Sequence, residues 1–492
     1  YITEDDLVIE IGPDFLIDET PDNGSISLQG DYTYFTGDTG LSDGIEIDKN
    51  ITIDGKGYTL DAKNSVSIFN IKANSKVILK NINFINAKGT DGGAIKLDPS
   101  THLEIINCNF TNNEALTAGG AIYVYNSTSL TSNLTISNSN FINNSARSGG
   151  AIYMNENSHD VSLIEDSKFI NCTSIGDGGA VFITADNVDF KNVLFQDNVA
   201  GDDGGAIYWD GNNGVMNNIT CINNRGVSAN KTDGTTSSTR GGTICLTGDN
   251  VTITDSRFIS SSAYMDEDKD TSKVDGGALF VTGNDVTITN TIFDGCNATN
   301  AGGALYVLGN DTNIIGCTFT SNTGSDAGAL YVNGTNCMLL NSVFTDNIAG
   351  DDGGAIYWAG NYGTIHNITC TNNKGISANK TDGTTSSTRG GTICLVGSNV
   401  NVTQSTFTLG SAYMDEGKDA SKVDGGALFI TGNDVFIIDN VFNRCNSTNA
   451  GGAVYVIGNE TQIINCTFNE CTSKDGAALY VDGESCTLFN TS

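Results

Sequence analysis

One hydrophobic pattern, Gly-Gly-Ala-aliphatic-aromatic-aliphatic, recurs along almost the whole chain. Its alanine position, near matches included, falls at residues 94, 121, 151, 180, 206, 243, 278, 304, 329, 355, 392, 427, 453 and 478, with threonine at 243 and 392. Most intervals are close to 26 residues, and a few are longer. Self-similarity at a nearly fixed period of this length predicts a solenoid.

Each repeat contains two further apolar runs between its Gly-Gly steps. In the unit from Gly302 to Ala327, GGALYV is followed by a run at Ile314 and Ile315 and then by CTF, which contains Phe319. Runs of this length, separated by Gly, Asn and Asp, predict short strands rather than helices. Three strands in a coil of about 26 residues predict an all-β, single-stranded parallel β-helix, in which each coil pairs with its two neighbours.

Alternation within the pattern predicts which side chains face the core. The residue after the alanine is aliphatic, as in Ile95 and Leu279, and is expected inside, whereas the next position is mostly aromatic and is expected outside. Trp209 and Trp358 lie two residues after the inward aliphatic and are also expected inside. A second aromatic column is interpreted as an interior stack, and it comprises Phe84, Phe110, Phe141, Phe169, Phe195, Phe258, Phe293, Phe319, Phe344, Phe407, Phe442 and Phe468, with Cys221 and Cys370 in between.

A larger duplication lies on top of the short repeat. Residues from Gly201 match those from Gly350 at a constant offset of 149, and ANKTDGTTSSTRGGT at 229–243 recurs unchanged at 378–392. We therefore expect four segments. They are a preceding segment or N-terminal cap (1–30), the first and regular coils (31–200), a five-coil block with insert loops (201–349) and its duplicate, truncated at the C-terminus (350–492).

Two successive coils of each block carry inserts just before the Gly-Gly step. The inserts span 225–240 and 261–275, and their counterparts span 374–389 and 410–424. Because coils stack in register, these loops are expected to project side by side from one corner, where solenoids commonly place binding function. The candidate ligand-binding residues are Asn230, Lys231, Asp233, Arg240, Tyr264, Asp266, Glu267, Lys380, Asp382, Arg389, Tyr413, Asp415 and Glu416.

Charge and hydropathy exclude two classes of partner. With 24 Lys+Arg against 57 Asp+Glu, the net charge is −33, so nucleic acid is not an expected partner. No stretch approaches the roughly 20 consecutive apolar residues of a membrane-spanning helix, so no transmembrane segment is expected. The three prolines all precede residue 100, and their absence afterwards favours uninterrupted strand pairing.

Enzymatic chemistry is an alternative, because carbohydrate-active enzymes also use parallel β-helices. Asp202 and Asp203, repeated as Asp351 and Asp352, are the best paired carboxylates, but Asp is also a favoured turn residue. His366 has no histidine counterpart in the other block, which argues against a catalytic histidine. We expect no catalytic residues and no enzyme activity.

Calcium is the one ion that the sequence leaves open. The acidic insert AYMDEDKDTSKVD at 263–275 offers several carboxylate oxygens, the ligands that Ca²⁺ prefers. The copy has Gly417 where the first block has Asp268, and neither matches the EF-hand spacing. A solvated charged loop is therefore favoured over a metal site, and no cofactor is expected.

Cysteines and asparagines suggest two kinds of covalent modification. The 13 cysteines mostly occupy inward columns and are interpreted as small core residues. Few disulfides are expected, although pairs between neighbouring coils stay open. The candidate glycosylation sites, each within Asn-x-Ser/Thr, are Asn126, Asn230, Asn297, Asn333 and Asn379.

The Gly-Gly-Ala-Ile motif is paired with Phe-x-x-Asn, which is intact at 110–113, 141–144, 195–198 and 344–347. This pairing resembles the polymorphic outer membrane protein repeats of chlamydial surface proteins. It resembles even more closely the adhesin-like surface proteins of methanogenic archaea, whose N-terminal regions are similar to GDYTYFTGDTGLSDGIEIDKNITIDGKGYTLDA at 30–62 and VILKNINFINAKGTDGGAI at 77–95. The resemblance implies an exported, right-handed β-helix of adhesin type at the archaeal cell surface or cell wall.

These observations lead to three functional hypotheses. The leading hypothesis is an extracellular, non-enzymatic, adhesin-like rod whose loops attach to a host or neighbouring microbial cell surface or to a polysaccharide. A polysaccharide lyase or hydrolase of the β-helix type is the first alternative. The second is a structural filament or sheath component that acts through self-association.

Overall fold

Two consecutive glycines shape one corner of most coils. The first, such as Gly302, has a φ of 63°, a conformation that side chains disfavour. The second, such as Gly303, lies against the next coil, where an added Cβ would be 2.0 Å from the carbonyl oxygen of Gly328. The pair is therefore required both by the turn and by the close stacking of coils.

A buried asparagine shapes the corner that follows the phenylalanine column. Asn347 is fully buried, and its Nδ2 donates to the carbonyl oxygen of Phe319 at 3.0 Å. Its Oδ1 accepts the backbone N–H of Asn322 at 3.0 Å. The Phe-x-x-Asn motif thus places an aromatic ring in the core and an amide that satisfies the backbone of the turn.

The computed structural model describes residues 13–34, 43–125, 132–155, 161–228, 238–265, 274–377, 388–414 and 423–492. The chain forms two compact units. Unit 1 consists of residues 1–200 and 206–211, and unit 2 consists of residues 201–205 and 212–492.

Unit 1 begins with the helix Pro13–Glu19, and its coils supply strands to four parallel sheets, named here in coil order. Sheet 1 contains Ile45–Ile47, Phe69–Ile71, Ile95–Leu97, Ile122–Val124, Ile152–Met154, Val181–Ile183 and Ile207–Trp209. Sheet 2 contains Gly24–Ser27, Ile51–Asp54, Lys76–Lys80, His102–Ile106, Asn133–Ser137, Ser162–Glu165 and Val188–Lys191. Sheet 3 contains Tyr32–Thr33, Thr59–Asp61, Asn83–Ile85, Asn109–Thr111, Asn140–Ile142, Lys168–Ile170 and Leu194–Gln196. Sheet 4 contains Lys88–Asp91, Glu114–Ala118, Ser145–Ala146, Thr173–Ser174 and Val199–Ala200.

Unit 2 has the same four kinds of strand. Sheet 1 contains Ile244–Leu246, Leu279–Val281, Leu305–Val307, Leu330–Val332, Ile356–Trp358, Ile393–Leu395, Leu428–Ile430, Val454–Val456 and Leu479–Val481. Sheet 2 contains Val215–Asn217, Thr252–Thr254, Thr287–Thr289, Asn313–Ile315, Met338–Leu340, Thr364–His366, Asn401–Thr403, Phe436–Ile438, Gln462–Ile464 and Thr487–Phe489. Sheet 3 contains Thr220–Ile222, Arg257–Ile259, Ile292–Asp294, Thr318–Thr320, Val343–Thr345, Thr369–Thr371, Thr406–Thr408, Val441–Asn443 and Thr467–Asn469. Sheet 4 contains Arg225–Ser228, Ser262–Met265, Asn297–Ala298, Thr323–Gly324, Ile348–Ala349, Lys374–Ser377, Ser411–Met414 and Asn446–Ser447.

Two small extra sheets lie next to the inserts of unit 2. Thr239–Arg240 pairs in parallel with Val274–Asp275, and Thr388–Arg389 pairs in parallel with Val423–Asp424. No other coil among the described residues has such a pair.

The strand pairing confirms the predicted all-β parallel β-helix in each unit. Neighbouring coils pair without a shift in sheets 1 and 3, as in Leu305↔Leu330 and Phe319↔Phe344, whereas Glu114–Ala118 pairs with Lys88–Asp91 through one register shift in sheet 4. The prediction of three strands per coil is wrong, because sheet 4 adds a fourth. From residue 145 onward, coils without inserts have a sheet 4 strand of only two residues, and the longer strands Lys88–Asp91 and Glu114–Ala118 contain few apolar residues, so this strand leaves no apolar run in the sequence.

The core contains the predicted phenylalanine stack. The rings of Phe110 and Phe141 lie 4.8 Å apart and are parallel within 1°. Trp209 and Trp358 are fully buried, as predicted. The outer aromatic column lies on the outer side of sheet 1, where the half-buried Tyr306 and Tyr331 stack with centroids 4.4 Å apart. The predicted inward and outward columns are thereby confirmed.

Candidate functional site

The residue before each Gly-Gly step forms a column along one corner of unit 2. Consecutive coils are joined there by backbone hydrogen bonds, as from Gly204 N to Arg240 O and from Gly241 N to Asp275 O, both 2.9 Å. In unit 2 the column runs Asp203, Arg240, Asp275, Ala301, Asp326, Asp352, Arg389, Asp424, Ala450 and Asp475. Each insert-bearing pair of coils thus places an arginine between two aspartates.

We call the two places where this happens the arginine corners. The first arginine corner consists of Asp203, Arg240, Asp275 and Phe280. The second consists of Asp352, Arg389, Asp424 and Phe429. The members of the second follow those of the first by the same offset of 149 residues that relates the two blocks.

Both arginines are fixed from two sides. The backbone N–H of Arg240 donates to Asp203 Oδ1 at 2.8 Å, and its guanidinium carbon lies 5.2 Å from the ring centroid of Phe280. Arg389 repeats these contacts with Asp352 at 2.8 Å and Phe429 at 5.3 Å. A cation over an aromatic face within about 6 Å is stabilised by the quadrupole of the ring.

The outer aromatic column leaves room for each guanidinium. Where other coils have an aromatic ring at this position, the arginine-bearing coils have Cys245 and Cys394, and both are buried. The small thiol side chain leaves the face of the next ring uncovered by a stacked aromatic. This substitution is the sequence signal that could have identified Phe280 and Phe429, which sequence reasoning missed, as the partners of the arginines.

The aspartates of the corners lie in unusual electrostatic surroundings. Burial raises the pKa of Asp275 to about 6, although a hydrogen bond from Asn300 Nδ2 at 2.7 Å and the charge of Arg240 oppose the rise. Burial and the neighbouring charge of Asp351 raise the pKa of Asp352 to about 7, while Arg389 opposes them. The positive charge of each arginine therefore stabilises carboxylates that have lost most of their contact with water.

The strands at the insert bases extend sheet 4 outward. Val227 pairs with Tyr264 and Gly226 pairs with Ala263 as the chain leaves the two coils. Ala263 also forms a small buried apolar cluster with Met265 and Val274, at the base of the second insert. The two inserts of a block therefore start and end side by side, as their predicted projection from one corner requires.

Only some of the predicted ligand-binding residues lie in the described part of the chain. Arg240 and Arg389 belong to the arginine corners, and Tyr264 and Tyr413 lie half-buried in the strands at the base of the second insert. The other candidates, which lie outside the described residues, are Asn230, Lys231, Asp233, Asp266, Glu267, Lys380, Asp382, Asp415 and Glu416. The acidic segment considered for calcium lies mostly outside them as well.

Only two of the five glycosylation candidates lie in the described part of the chain. Asn297 and Asn333 are exposed, although Asn297 lies in a strand of sheet 4 and its Oδ1 accepts a hydrogen bond from Thr323 Oγ1 at 3.0 Å. Asn126, Asn230 and Asn379 lie outside the described residues. Exposure makes Asn297 and Asn333 sterically open to modification, and their glycosylation stays a prediction.

The arrangement of the carboxylates favours a structural role for the GDDGG segments. Asp203 and Asp352 each accept the backbone N–H of the arginine on the next coil, so they join coils across the base of the insert. His366 Nδ1 lies 2.8 Å from Thr403 Oγ1, in sheet 2 rather than at the corner. Nothing in these contacts brings a histidine and a carboxylate together for acid–base chemistry.

The outer aromatic column is also a poor platform for sugars. Tyr331 is stacked between Tyr306 and Tyr357, at 4.4 and 4.9 Å, so both of its faces are covered. Burial raises the pKa of Tyr306 and of Tyr331, with a further contribution from the charges of Asp275 and Asp326. Only ring edges and hydroxyl groups of this run face outward.

Four segments of the chain match the model of the Chlamydia polymorphic membrane protein repeat. They are residues 107–125, 138–155, 192–208 and 341–357. Each segment contains one intact Phe-x-x-Asn motif followed by a Gly-Gly step. This is the pairing of motifs that suggested the resemblance. No curated protein sequence matches the chain.

Solved structures with a similar arrangement include three proteins at low identity. The A-module of Azotobacter vinelandii mannuronan C-5 epimerase AlgE6 is 11% identical, with 90% of this chain and 91% of that chain covered and a TM-score of 0.33. The surface adhesin PfbA of Streptococcus pneumoniae is 13% identical, with 92% and 86% covered and a TM-score of 0.25. The PL6 family alginate lyase AlyGC is 9% identical, with 97% and 98% covered and a TM-score of 0.20.

The described residues contain no helix long and apolar enough to cross a membrane. Four segments of this parallel β-helical chain are therefore similar to the Chlamydia polymorphic membrane protein repeat.

Proposed function

We propose that this chain belongs to an exported, non-enzymatic, adhesin-like cell-surface protein that presents paired insert loops to another surface. The four segments that match the Chlamydia polymorphic membrane protein repeat support a surface location. The net charge of −33 supports a role outside nucleic-acid binding. The partner would be a host or neighbouring microbial cell surface, or a polysaccharide.

The observation that carries the proposal is the construction of the insert bases. In each block, two loops leave adjacent coils through paired strands and return through a second pair, Thr239–Arg240 with Val274–Asp275 or Thr388–Arg389 with Val423–Asp424. A coil that needed no external loop would close directly at its Gly-Gly step, as the regular coils do. Binding function on solenoids is commonly placed on loops that a regular scaffold holds in this manner.

The arginine corners supply the rigidity that such loops need at their ends. Arg240 and Arg389 connect the returning strand to an aspartate of the previous coil and to a ring of the next. Loops fixed in this way lose less conformational entropy on binding than loops on free ends. The geometry therefore supports presentation of loops, and the two blocks offer the same loop pair twice.

The test compares binding by the intact chain with binding by a loop-exchanged variant. Residues 229–237 and 378–386 are replaced by Gly-Ser segments of equal length, so that Thr239 and Thr388 keep their strand pairing. Tyr362→Asn, which restores the residue of the first copy at an exposed position, is the matched control. Retention on microbial cells and immobilised polysaccharides is measured with and without calcium, together with any released sugar.

We expect the intact chain and the control to be retained without release of sugar, and the loop variant to lose most of its retention while its circular dichroism is unchanged. Equal retention of all three would contradict the role of the loops. Release of sugar fragments would contradict the non-enzymatic proposal and direct attention to Asp351 and Asp352.

A further inference from the structure

Two cysteines occupy the same position in consecutive coils near the end of the chain. Phe442 pairs with Phe468 and Asn443 with Asn469, and a bridge joins Asn446 to Thr472. This register places Cys445 and Cys471 opposite each other. The backbone N–H of Thr472 donates to the carbonyl oxygen of Cys445 at 3.0 Å, so the coils remain paired at this point.

The two sulfurs also point in the same direction. Cys445 Sγ lies 3.6 Å from the carbonyl oxygen of Phe407, and Cys471 Sγ lies 3.6 Å from that of Phe442, one coil further on. The two side chains therefore lie on the same side of neighbouring, paired strands. Neighbouring strands lie about 4.8 Å apart, and a disulfide accepts Cα–Cα distances of about 4.4–6.8 Å.

No other pair among the cysteines has this relation. All 13 cysteines lie in the described residues, and most are buried. Cys172 and Cys296 occupy the same column as Cys445, but the next coil places Asn198 and Asn322 against them, and each asparagine Oδ1 accepts the cysteine backbone N–H at 2.9 Å. The two copies can therefore be compared at these positions. The first copy has a cysteine and an asparagine, Cys296 and Asn322, where the second has two cysteines, Cys445 and Cys471.

The protonation of the pair suits thiol–disulfide exchange. Hydrogen bonds from the Cys445 thiol and backbone lower the pKa of Cys471 to about 7, whereas its hydrogen bond to Cys471 and burial raise the pKa of Cys445 well above its usual value. Cys471 is half-buried and Cys445 is fully buried. The more accessible sulfur is thus the better thiolate nucleophile, and the buried sulfur lies next to it.

We propose that Cys445 and Cys471 are a redox-active pair that a small-molecule disulfide oxidises to a covalent bond between two consecutive coils. The Cys471 thiolate attacks one sulfur of the small disulfide, which forms a mixed disulfide and releases one thiolate. The Cys445 thiol then loses its proton and attacks Cys471 Sγ, which releases the second small thiol. Two protein thiols are oxidised to one disulfide, and one small disulfide is reduced to two thiols.

The cross-link would join positions that are already fixed by strand pairing. It closes a loop of one coil, which restricts the unfolded chain and should raise the temperature at which this end of the β-helix unfolds. Such a bond is suited to the oxidising surroundings in which exported proteins carry disulfides. The proposal does not depend on what the insert loops bind.

The test uses the full chain incubated with oxidised glutathione, alkylated, digested without reduction and analysed by mass spectrometry. We expect one peptide pair joined through Cys445 and Cys471, and 11 alkylated cysteines in place of 13. Cys471→Asn, which reproduces the Cys–Asn arrangement of the first copy, should give no cross-link. Asn322→Cys, which transfers the second cysteine to the first copy, places both thiols in fully buried positions, so its cross-link to Cys296 should form more slowly than the one between Cys445 and Cys471.

Three results would overturn the proposal. The first is a stable mixed disulfide at Cys471 without a cross-link, and the second is a cross-link to any other cysteine of this chain or of a second copy. The third is no reaction of the folded chain under conditions in which the same chain, unfolded in urea, is oxidised. Circular dichroism of both variants confirms that the β-helix is retained, and Cys445→Ala provides a second variant in which the cross-link must be lost.

Discussion

The two copies of the five-coil block keep the same arginine corners but differ in how they satisfy buried polar groups. In the first copy, the buried Thr243 Oγ1 donates to Ser261 Oγ at 2.7 Å. In the second copy, Gly410 replaces Ser261, and the buried hydroxyl of Thr392 has no hydrogen-bond partner. The coil geometry has therefore survived the loss of a buried hydrogen bond.

A second difference lies in the column of Ser261 and Gly410, one and two coils further along the chain. Asn322 of the first copy accepts the backbone N–H of Cys296, whereas Cys471 of the second copy presents a thiol to Cys445. Such buried contacts contribute about 1 kcal/mol each, far less than an interior aromatic ring. The comparison indicates that glycine corners and interior stacking hold the coil, and that single polar contacts can change without altering it.

The largest predicted effect concerns the interior phenylalanine stack in both copies. Phe293 lies between rings at 5.2 and 4.8 Å, and its counterpart Phe442 lies between rings at 5.1 and 5.0 Å. We expect Phe293→Ala and Phe442→Ala each to lower the free energy of unfolding by about 3–5 kcal/mol, because each leaves a cavity in a close-packed column. Urea unfolding measures the loss, and local hydrogen exchange shows which coils open.

The control for this pair is Tyr362→Asn. Tyr362 is 60% exposed with a φ of 57°, and the first copy has Asn213 at the equivalent position. Asparagine tolerates this left-handed conformation better than tyrosine, so stability should be unchanged or slightly higher. A difference of more than about 2 kcal/mol between the two phenylalanine variants would contradict the equivalence of the copies.

The next effect is a pH dependence at the buried aspartates of the arginine corners. The pKa of Asp352 is raised to about 7, mainly by burial, so the folded chain keeps a proton that the unfolded chain releases above about pH 4. The free energy of unfolding therefore falls as the pH rises from about 4 to about 7. Asp352→Asn should remove this fall, which a pKa raised from 3.8 to about 7 sets at about 4 kcal/mol, and should gain that amount on the wild type between pH 4 and pH 8.

The other aspartate position of the arginine corners offers a second variant, at Asp275 of the first copy. The pKa of Asp275 is raised only to about 6, so the gain of Asp275→Asn should be smaller and complete near pH 6. Urea unfolding at pH 4, 6 and 8 measures both. Parallel pH profiles for wild type and Asp352→Asn would show that this carboxyl is ionised in the folded protein throughout.

A smaller effect is expected when the buried hydroxyl of Thr392 in the second copy is given a hydrogen-bond partner. Gly410→Ser gives Thr392 Oγ1 the partner that Ser261 gives Thr243, so we expect a gain of about 1 kcal/mol in the free energy of unfolding. An added Cβ would lie 2.6 Å from Thr392 Oγ1, a contact that rotation of the threonine relieves, and 2.8 Å from the carbonyl oxygen of Gly426. The second contact requires a small backbone shift toward the arrangement that the first copy has around Ser261, and this shift reduces the gain. Ser261→Gly is the reverse variant and should lose a similar amount; a loss with both substitutions would contradict the explanation.

Sequence reasoning predicted the fold from features that repeat in every coil. The Gly-Gly step, the inward aliphatic position and the phenylalanine column each recur at one register, so their periodicity shows in the sequence. The fourth strand was missed because it is only two to five residues long and its backbone pairing needs no particular side chain. The helix Pro13–Glu19 was missed because seven residues are too few for a helical period to show.

The arginine corners were predicted only in part. Arg240 and Arg389 were selected because they end the inserts, but their contacts depend on which residues of the coils before and after lie in the same column. Recognising Phe280 required aligning the aromatic positions and noticing that Cys245 interrupts them. Ligand chemistry was not predictable, because the loop sequences carry no motif whose geometry is fixed by spacing alone.

The smallest predicted effect concerns an ion pair that only the second copy has. Arg444 Nε donates to Glu470 Oε2 at 2.8 Å, where the first copy has Gly295 and Ser321. Both side chains are mostly exposed, at 65% and 71%, so water and salt screen their attraction. Arg444→Gln should therefore change the free energy of unfolding by less than about 0.5 kcal/mol, and the change should disappear in 1 M salt. A loss above about 1 kcal/mol, or one that persists in high salt, would mean that this contact adds to the coil pairing near Cys445 and Cys471.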